Sequence, residues 1–474
     1  MKFILLLISI CVSVLSAQDQ NDIITVIGDS LVGKTIEGEM IREVYGNVVL
    51  TQGNVVITCD KAVQFIARND AELIGNVIAR QDSLTIRTPQ GFYFGNLRKS
   101  FSNSGVILDD TKVILSADTG EYYFDLDKAF FTGNVRLYDT ATTLTSEKLT
   151  YFKNQNKAVA TGNVSIIDSS NVINADSLVH FRDNRVTLAF NNVKIRNLES
   201  NTVIFGEHLE DYADENYSVM DLEPLLIQVD TTYTTRIDSL NPDSVVQSYD
   251  LDSLIIRSEI MKAFRDTTDY FEAIDSVRIL RGEFSSVNDH TIYFRSLEKI
   301  VTVRKDETGS TPVLWYENSQ LTGDSVAIFL EDNRIKMLNV FGNAFLLSQN
   351  KIYPERFDQS RGDSIKLTFR NEELIKAEFF GNVLSIYYLY EDDLPNGLTK
   401  SSARNAVIEF EENEVAAVKL YGLPASEYYP EIKVKGKERA FTLPAFIHYT
   451  NRPKREELLN PDSTENKTLS EQEE

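Results

Sequence analysis

The sequence is poor in cysteine, histidine and basic side chains. Its 474 residues include 2 Cys and 4 His, with 48 Lys and Arg against 71 Asp and Glu, which gives a formal net charge of −23. Two cysteines exclude a disulfide scaffold and a Cys-rich zinc module. The acidic excess argues against a partner such as nucleic acid, whose backbone needs a basic surface.

Catalytic and metal-binding motifs are also missing. The histidines show no metal-ligand spacing, and neither a phosphate-binding loop nor a nucleophile motif occurs; the four are His180, His208, His290 and His448. We therefore predict a protein that is not an enzyme, with no catalytic residue, no metal and no cofactor.

Long hydrophobic runs are confined to the start of the chain. Met1 and Lys2 precede an apolar run over residues 3–15, and Ser16-Ala17 follows it. This pattern predicts a cleaved signal peptide over residues 1–17, with an uncleaved anchor as the alternative. Cleavage would leave Cys59 as the one thiol, inside an apolar strand-like run.

A repeat dominates the rest of the sequence. Gly-Asn-Val begins at residues 46, 75, 133 and 162. Gly105-Val106 lies between the second and third copies, and Asn191-Asn192-Val193 follows the fourth. Successive copies start 28 to 30 residues apart. Related copies at Gly342 and Gly381 lie about 40 residues apart. We predict that each glycine forms a turn between two strands of a unit, where the chain bends without a side chain. The predicted repeat turns are Gly46, Gly75, Gly105, Gly133, Gly162, Gly342 and Gly381.

Apolar residues alternate with polar residues after each Gly-Asn pair. Val135 and Leu137 flank Arg136, and Val164 and Ile166 flank Ser165. Alternation of this kind is typical of strands with one buried face. After several of these glycines, an acidic residue about fourteen positions on opens the next apolar run, as Asp60, Glu147 and Asp176 do. The asparagine beside the glycine is expected to bond to backbone or to its counterpart one repeat away.

These patterns predict an all-β chain of repeated antiparallel strands in two tandem segments. The first segment is predicted over residues 22–226 and the second over 252–450. Residues 227–251 are polar and are predicted to be a linker, and residues 451–474 are predicted to be a disordered acidic tail.

Units of this length with Ala-x-x-x-Gly-Asn-Val and an acid before the next apolar run resemble the OstA-like, LptA-type family of periplasmic lipopolysaccharide-transport proteins. The alanines are Ala71, Ala129, Ala158 and Ala377. The resemblance covers residues 40–200 and 320–425 best. It implies a β-jellyroll fold, a periplasmic location, and outer-membrane biogenesis through binding of lipopolysaccharide acyl chains.

The family resemblance also implies where ligand and partners bind. The inward strand residues are predicted to line a lipid trough, with a sealed core as the alternative; they are Val77, Val106, Leu108, Val135, Leu137, Val164, Ile166, Val193 and Ile195. Other jellyroll transport proteins, or a second copy arranged head to tail, are expected to pair with free strand edges such as the one near Ile24–Ile27. The competing hypothesis is a repetitive β-solenoid of the envelope or surface that has no lipid cargo.

Overall fold

A computed structural model describes residues 23–460, apart from 199, 238–244, 268, 307, 332–333, 372 and 412–413. The predicted signal peptide over residues 1–17 and the last fourteen residues of the predicted tail lie outside this range. The chain divides into two compact units, the first ending at Ser169 and the second beginning at Ser170.

The first unit consists of thirteen strands in its described part. They are β1 (Thr25–Ile27), β2 (Ser30–Ile36), β3 (Glu39–Gln52), β4 (Val55–Phe65), β5 (Asp70–Gln81), β6 (Leu84–Phe94), β7 (Lys99–Ser102), β8 (Val106–Asp109), β9 (Ile114–Ala117), β10 (Thr119–Tyr123), β11 (Lys128–Tyr138), β12 (Thr143–Phe152) and β13 (Lys157–Ile167).

The second unit adds nineteen strands and two short helices among the described residues. The strands are β14 (Asn171–Phe181), β15 (Val186–Asn197), β16 (Thr202–Tyr212), β17 (Tyr217–Asp221), β18 (Leu225–Ile237), β19 (Val245–Arg257), β20 (Ile260–Phe264), β21 (Tyr270–Arg281), β22 (Phe284–Phe294), β23 (Lys299–Val303), β24 (Val313–Tyr316), β25 (Ser319–Thr322), β26 (Ser325–Glu331), β27 (Arg334–Gln349), β28 (Phe357–Arg370), β29 (Glu373–Glu391), β30 (Leu394–Glu411), β31 (Glu414–Tyr421) and β32 (Ala425–Tyr429). The helices are α1 (Glu431–Val434) and α2 (Arg455–Leu459).

Neighbouring strands pair antiparallel, and their side chains alternate between the core and the surface. In β11, Ala129, Phe131, Val135 and Leu137 are buried, whereas Arg136 is exposed. The burial of every second residue is the property that the sequence pattern predicted. The predicted all-β class of repeated antiparallel strands is therefore confirmed.

The repeat glycines lie in a different place from the one predicted. Gly133 and Asn134 are inside β11, where the register with β12 shifts between Thr132 and Val135. Both have positive φ, 79° for Gly133 and 47° for Asn134. Two residues of one strand thus oppose a single residue of the next, Glu147, which makes a β-bulge inside a continuous strand.

The same correction applies to most of the other repeat glycines. Positive-φ glycines followed by positive-φ asparagines lie within strands at Gly46, Gly75, Gly162, Gly342 and Gly381. Gly105 is the exception, because it lies between β7 and β8, as the turn prediction requires. A bulge bends and twists its strand without ending it, so the sequence signal marked a bend correctly but not a strand boundary.

The stretch predicted as a linker, residues 227–251, falls largely on paired strands. β18 and β19 form an antiparallel pair in which Leu225 faces Arg257 and Ile237 faces Val245. Thr and Tyr have good strand propensity, which outweighs the Asp and Ser content that suggested a loop. The division of the chain into domains at this stretch stays a prediction.

Residues 451–460, predicted as part of a disordered tail, pack against strands of the second unit. Leu458 of α2 is fully buried, and its carbonyl oxygen accepts a hydrogen bond from Arg257 Nη1 at 2.7 Å. The prediction of disorder followed the polar composition of the tail and did not take account of the buried Leu458.

Candidate functional site

A continuous row of apolar side chains runs across nine strands of the first unit, from β3 to β13. Each member faces the next in strand register and is almost completely buried. The row is Leu50, Ile57, Ala79, Ile86, Leu108, Leu115, Leu137, Leu144 and Ile166. Residues in register on adjacent strands project from the same face of a sheet, so the row forms one apolar stripe along the interior.

Eight of the nine residues predicted to point inward are buried. Buried members are Val77, Val106, Leu108, Val135, Leu137, Val164, Ile166 and Val193. Ile195, near the end of β15, is only half-buried. Burial shows the direction of these side chains; their contact with a lipid stays a prediction.

Most of the apolar side chains of the row are almost completely buried, and the interior beside them contains a small cavity. One cavity among its described residues has a volume of about 20 Å³ and is lined mainly by apolar side chains that include Ile57, Leu73, Val77, Val106 and Phe131. A water molecule needs a cavity of roughly 10–15 Å³ measured this way, so the cavity holds little more than one water. This cavity is too small for an acyl chain.

The bulges carry a second regular feature on the surface. The Nδ2 of Asn76 donates to Asp60 Oδ2 at 2.8 Å, and Asn134 donates to Asp118 at the same distance. Equivalent pairs join Asn47 to Asp29, Asn163 to Glu147, Asn192 to Asp176, Asn343 to Asp324 and Asn382 to Asp363.

These pairs correct the role predicted for the repeat asparagines. Each asparagine bonds to a carboxylate that precedes it in sequence by 16 to 19 residues, instead of bonding to backbone or to another asparagine. The signal was present in the sequence as the acid that opens each apolar run. The pairs are exposed, and each contributes about 1 kcal/mol or less because water competes for both partners.

The N-terminal strands leave an accessible edge. β1 and β2 both pair with β3, and every residue of β2 is exposed, including Leu31 and Ile36. The predicted edge residue Ile24 is itself buried, and its backbone is already bonded: its N–H donates to Asn69 Oδ1 and its carbonyl oxygen accepts from Gln64 Nε2. The exposed apolar edge is therefore centred on β2.

Two buried ionisable groups of the first unit, Cys59 and Tyr93, have raised pKa values. Burial raises the pKa of the Cys59 thiol to about 11, and Cys59 Sγ lies 3.2 Å from the Lys61 carbonyl oxygen. Burial also raises the pKa of Tyr93 to about 12, and its hydroxyl donates to Gln52. A buried thiol with a raised pKa is a poor nucleophile.

Two further searches cover the described part of the chain. Among those residues, no group of three or more His, Cys, Asp and Glu side chains is placed to hold a metal ion. No helix there is both long enough and apolar enough to cross a membrane.

Comparison with known proteins finds a family similarity in the first unit. Residues 20–170, about a third of the chain, match the family model described as OstA-like protein. This region is OstA-like, and the resemblance predicted from the repeats is confirmed for it. No match is found among curated proteins.

One solved structure with similarity to the chain is LptH from Pseudomonas aeruginosa. It is described as the LptA-homologous periplasmic component of the conserved lipopolysaccharide transport device. The sequences are 16% identical, and the alignment covers 36% of this chain and 85% of LptH. The TM-score is 0.13, which supports no argument about fold or function.

Proposed function

We propose that this protein is a non-catalytic lipid carrier of the periplasm, which binds the acyl chains of lipopolysaccharide. In this role it bridges the inner and outer membranes for lipopolysaccharide transport and outer-membrane assembly. The observation that supports the proposal is the apolar row from Leu50 to Ile166, which crosses nine strands of the OstA-like unit without a polar interruption.

The physical basis is burial of apolar surface. Each Å² of acyl chain removed from water stabilises the complex by about 25 cal/mol, so several chains would bind without any polar contact. Part of this gain is offset by the cost of moving side chains of the apolar row that are already buried. The net charge of −23 opposes contact with the phosphates of lipopolysaccharide, so we expect its anionic headgroup to stay in solvent.

Site-specific photocrosslinking tests lipid contact. A photoreactive residue replaces Leu137 or Ile166, which face inward, and in matched controls it replaces Arg136 or Ser165, their outward neighbours on the same strands. We expect lipopolysaccharide adducts from the two inward positions, and weak or no adducts from the controls. Adducts absent at both inward positions, or equal on both faces, would overturn the proposal.

A second candidate function is supported by the small cavity. The cavity lined by Ile57, Val77 and Phe131 is too small for an acyl chain, as expected of a repetitive interaction protein without cargo. Organic extraction of gently purified protein distinguishes the two. Lipopolysaccharide recovered in stoichiometric amount favours the carrier, and extracts without lipid favour the interaction protein.

Partner binding through strand edges belongs to the same proposal. β2 offers backbone groups and exposed apolar side chains to another jellyroll protein or a second copy. Replacing Leu31 and Ile36 with glutamate should reduce head-to-tail association in analytical ultracentrifugation. Glu37→Gln, in the adjacent turn, should not. Unchanged association in the glutamate variant would count against this edge.

A further inference from the structure

The C-terminal segment over residues 431–460, which we call the strap, crosses a series of strands of the second unit. Its first residues contact β29 and β30, its middle contacts β25 and β28, and its end contacts β19 and β22. The strap is more than 100 residues away in sequence from β19, β22 and β25. Only the tertiary structure therefore reveals these contacts.

The face under the strap is one register row. Pairwise register links the row through adjacent strands; its members are Ser285, Trp315, Gln320, Leu347, Gln359 and Ile386. The alternate residues Leu314, Leu321 and Leu346 project to the opposite side, into another apolar cluster. The strap therefore covers the outer face of these strands and not the core between them.

Two glutamines bind the strap backbone in the same manner. Gln359 Nε2 donates to the carbonyl oxygen of Phe441 at 3.1 Å, and its Oε1 accepts from the N–H of Leu443 at 2.8 Å. Gln320 makes the same two bonds with Ile447 and Tyr449, both at 2.8 Å. Each side-chain amide bonds to the carbonyl of one residue and the N–H two positions on. These contacts recognise an extended backbone, whatever its side chains are.

An ion-pair latch holds the start of the strap. Arg356 is almost fully buried, and its Nη2 lies 2.6 Å from Glu431 Oε1 and 3.4 Å from Glu438 Oε1. The hydrogen bond from Arg356 holds the pKa of Glu431 below its usual value. A buried arginine that loses its carboxylates leaves an uncompensated charge, so loss of the latch is expected to weaken the strap's attachment.

Apolar side chains of the strap fill positions on the face. Val434 and Leu443 are buried among Phe345, Leu347, Ile386, Tyr388 and Leu398. Further along, the Phe446 ring packs edge-on against Phe357 at 5.6 Å between centroids.

The middle of the strap is loosely packed. A cavity of about 140 Å³ lies beneath Ala445, Ile447 and Tyr449, and Arg304 and Asp324 are on its floor. Among the described residues, the backbone N–H groups of the strap that donate to a backbone carbonyl oxygen do so within four residues of themselves. No backbone N–H group of the strap donates to a backbone carbonyl of a strand in this part of the chain. The strap thus covers the face without becoming part of the sheet.

We propose that this outer face is a binding site for an extended polypeptide segment, and that the strap fills the site in cis and can be displaced. The ligand class follows from the contacts that the strap makes. The ligand needs an extended backbone to bond with the two glutamines, an acidic residue to pair with Arg356, and an apolar side chain to pack in the cluster around Ile386. This site is separate from the apolar interior, and the proposal does not depend on lipid binding.

The test uses the full chain and a fluorescent synthetic peptide with the sequence of residues 431–453. In the wild-type protein the strap competes, so the apparent affinity is the intrinsic affinity multiplied by the open fraction. The double variant Glu431→Gln/Glu438→Gln weakens the latch and leaves the face intact. We expect it to bind the peptide at least tenfold more tightly than wild type does.

Two controls make the result specific. Glu409→Gln on β30 breaks an exposed ion pair with Lys419 of β31. This variant should bind the peptide as wild type does. A peptide N-methylated at the residues corresponding to Leu443 and Tyr449 lacks the two N–H groups that the glutamines accept, and should bind at least tenfold more weakly. No binding to the latch variant, or equal binding of both peptides, would overturn the proposal.

Trp315, the single tryptophan of the chain, supplies an independent readout. It is buried in the row under the strap, so its emission should shift to the red in the latch variant and return when the peptide binds. If the latch variant does not fold, hydrogen exchange of the wild type decides the question. Strap amides exchanging as slowly as those of β29 and β30 would refute displacement, and faster exchange would support it.

Discussion

The bulge glycines of the second unit offer a quantitative test of the fold. Gly342 has a φ of 72°, and a methyl group there would overlap the carboxylate of Asp324. The Cβ of Asp324 would itself be 2.9 Å away, whereas carbon atoms in contact are normally about 3.5–4.0 Å apart. Rotation of the carboxylate therefore cannot relieve the overlap, and the backbone must move.

Gly282 provides a matched control in the same unit. Its φ is 53°, but a Cβ there would meet nothing within 4 Å. Gly282→Ala should therefore cost only the left-handed strain of a non-glycine residue, about 1–2 kcal/mol. Gly342→Ala should cost about 2–4 kcal/mol, because overlap and a weakened Asn343–Asp324 hydrogen bond add to the same strain.

Trp315 fluorescence during urea unfolding measures both losses, because the tryptophan lies in the same unit as both glycines. Adding Asp324→Gly to Gly342→Ala removes the overlapping atoms, so the double variant should lose less than the sum of the single losses. Equal losses for Gly342→Ala and Gly282→Ala would refute the argument that the acid–bulge contact requires glycine.

Three further outcomes are expected. Leu137→Ala should destabilise the first unit by about 2–5 kcal/mol, because it leaves a cavity where an almost fully buried side chain was. Thermal unfolding followed by circular dichroism measures the loss, and a loss under about 1 kcal/mol would indicate a loose core. Burial raises the pKa of Asp358 to about 7 from an ordinary 3.8, so the stability that this group contributes is present at acidic pH and is lost as pH rises to about 7. Asp358→Asn should remove that part of the pH dependence of Trp315-detected unfolding, and identical profiles for wild type and variant would contradict it. Cys59 should react with a thiol reagent at pH 8 only slowly in the folded protein and rapidly in urea, and fast reaction of the folded protein would show that its strand opens.

The repeat shows how far a sequence pattern can determine local structure. Alternation around Arg136 identified a strand and its buried face, because side chains of a strand project to opposite sides with a period of two. The same pattern could not distinguish a bulge from a turn at Gly133. Both need a positive φ, and the distinction depends on whether the partner strand continues past the glycine.

The predicted trough illustrates a different limit. The sequence specified that Leu137 and Ile166 face inward, but the space between facing walls depends on side chains from strands distant in sequence. The structure shows a cavity of about 20 Å³ there, which is too small for an acyl chain. Periodicity specifies a direction for each side chain, whereas packing specifies what that side chain meets.

By itself, the sequence determined the strand class, the repeat length, the inward face and the acids that open each apolar run. These depend on local spacing, which the backbone converts directly into geometry. Only the tertiary structure decided that the acids bond to bulge asparagines and that the C-terminal segment lies across the second unit. Gln320 and Tyr449 are 129 residues apart, and Arg356 and Glu431 are 75 residues apart. Such contacts form because folding brings distant strands together, and no pattern within a window of one strand specifies them.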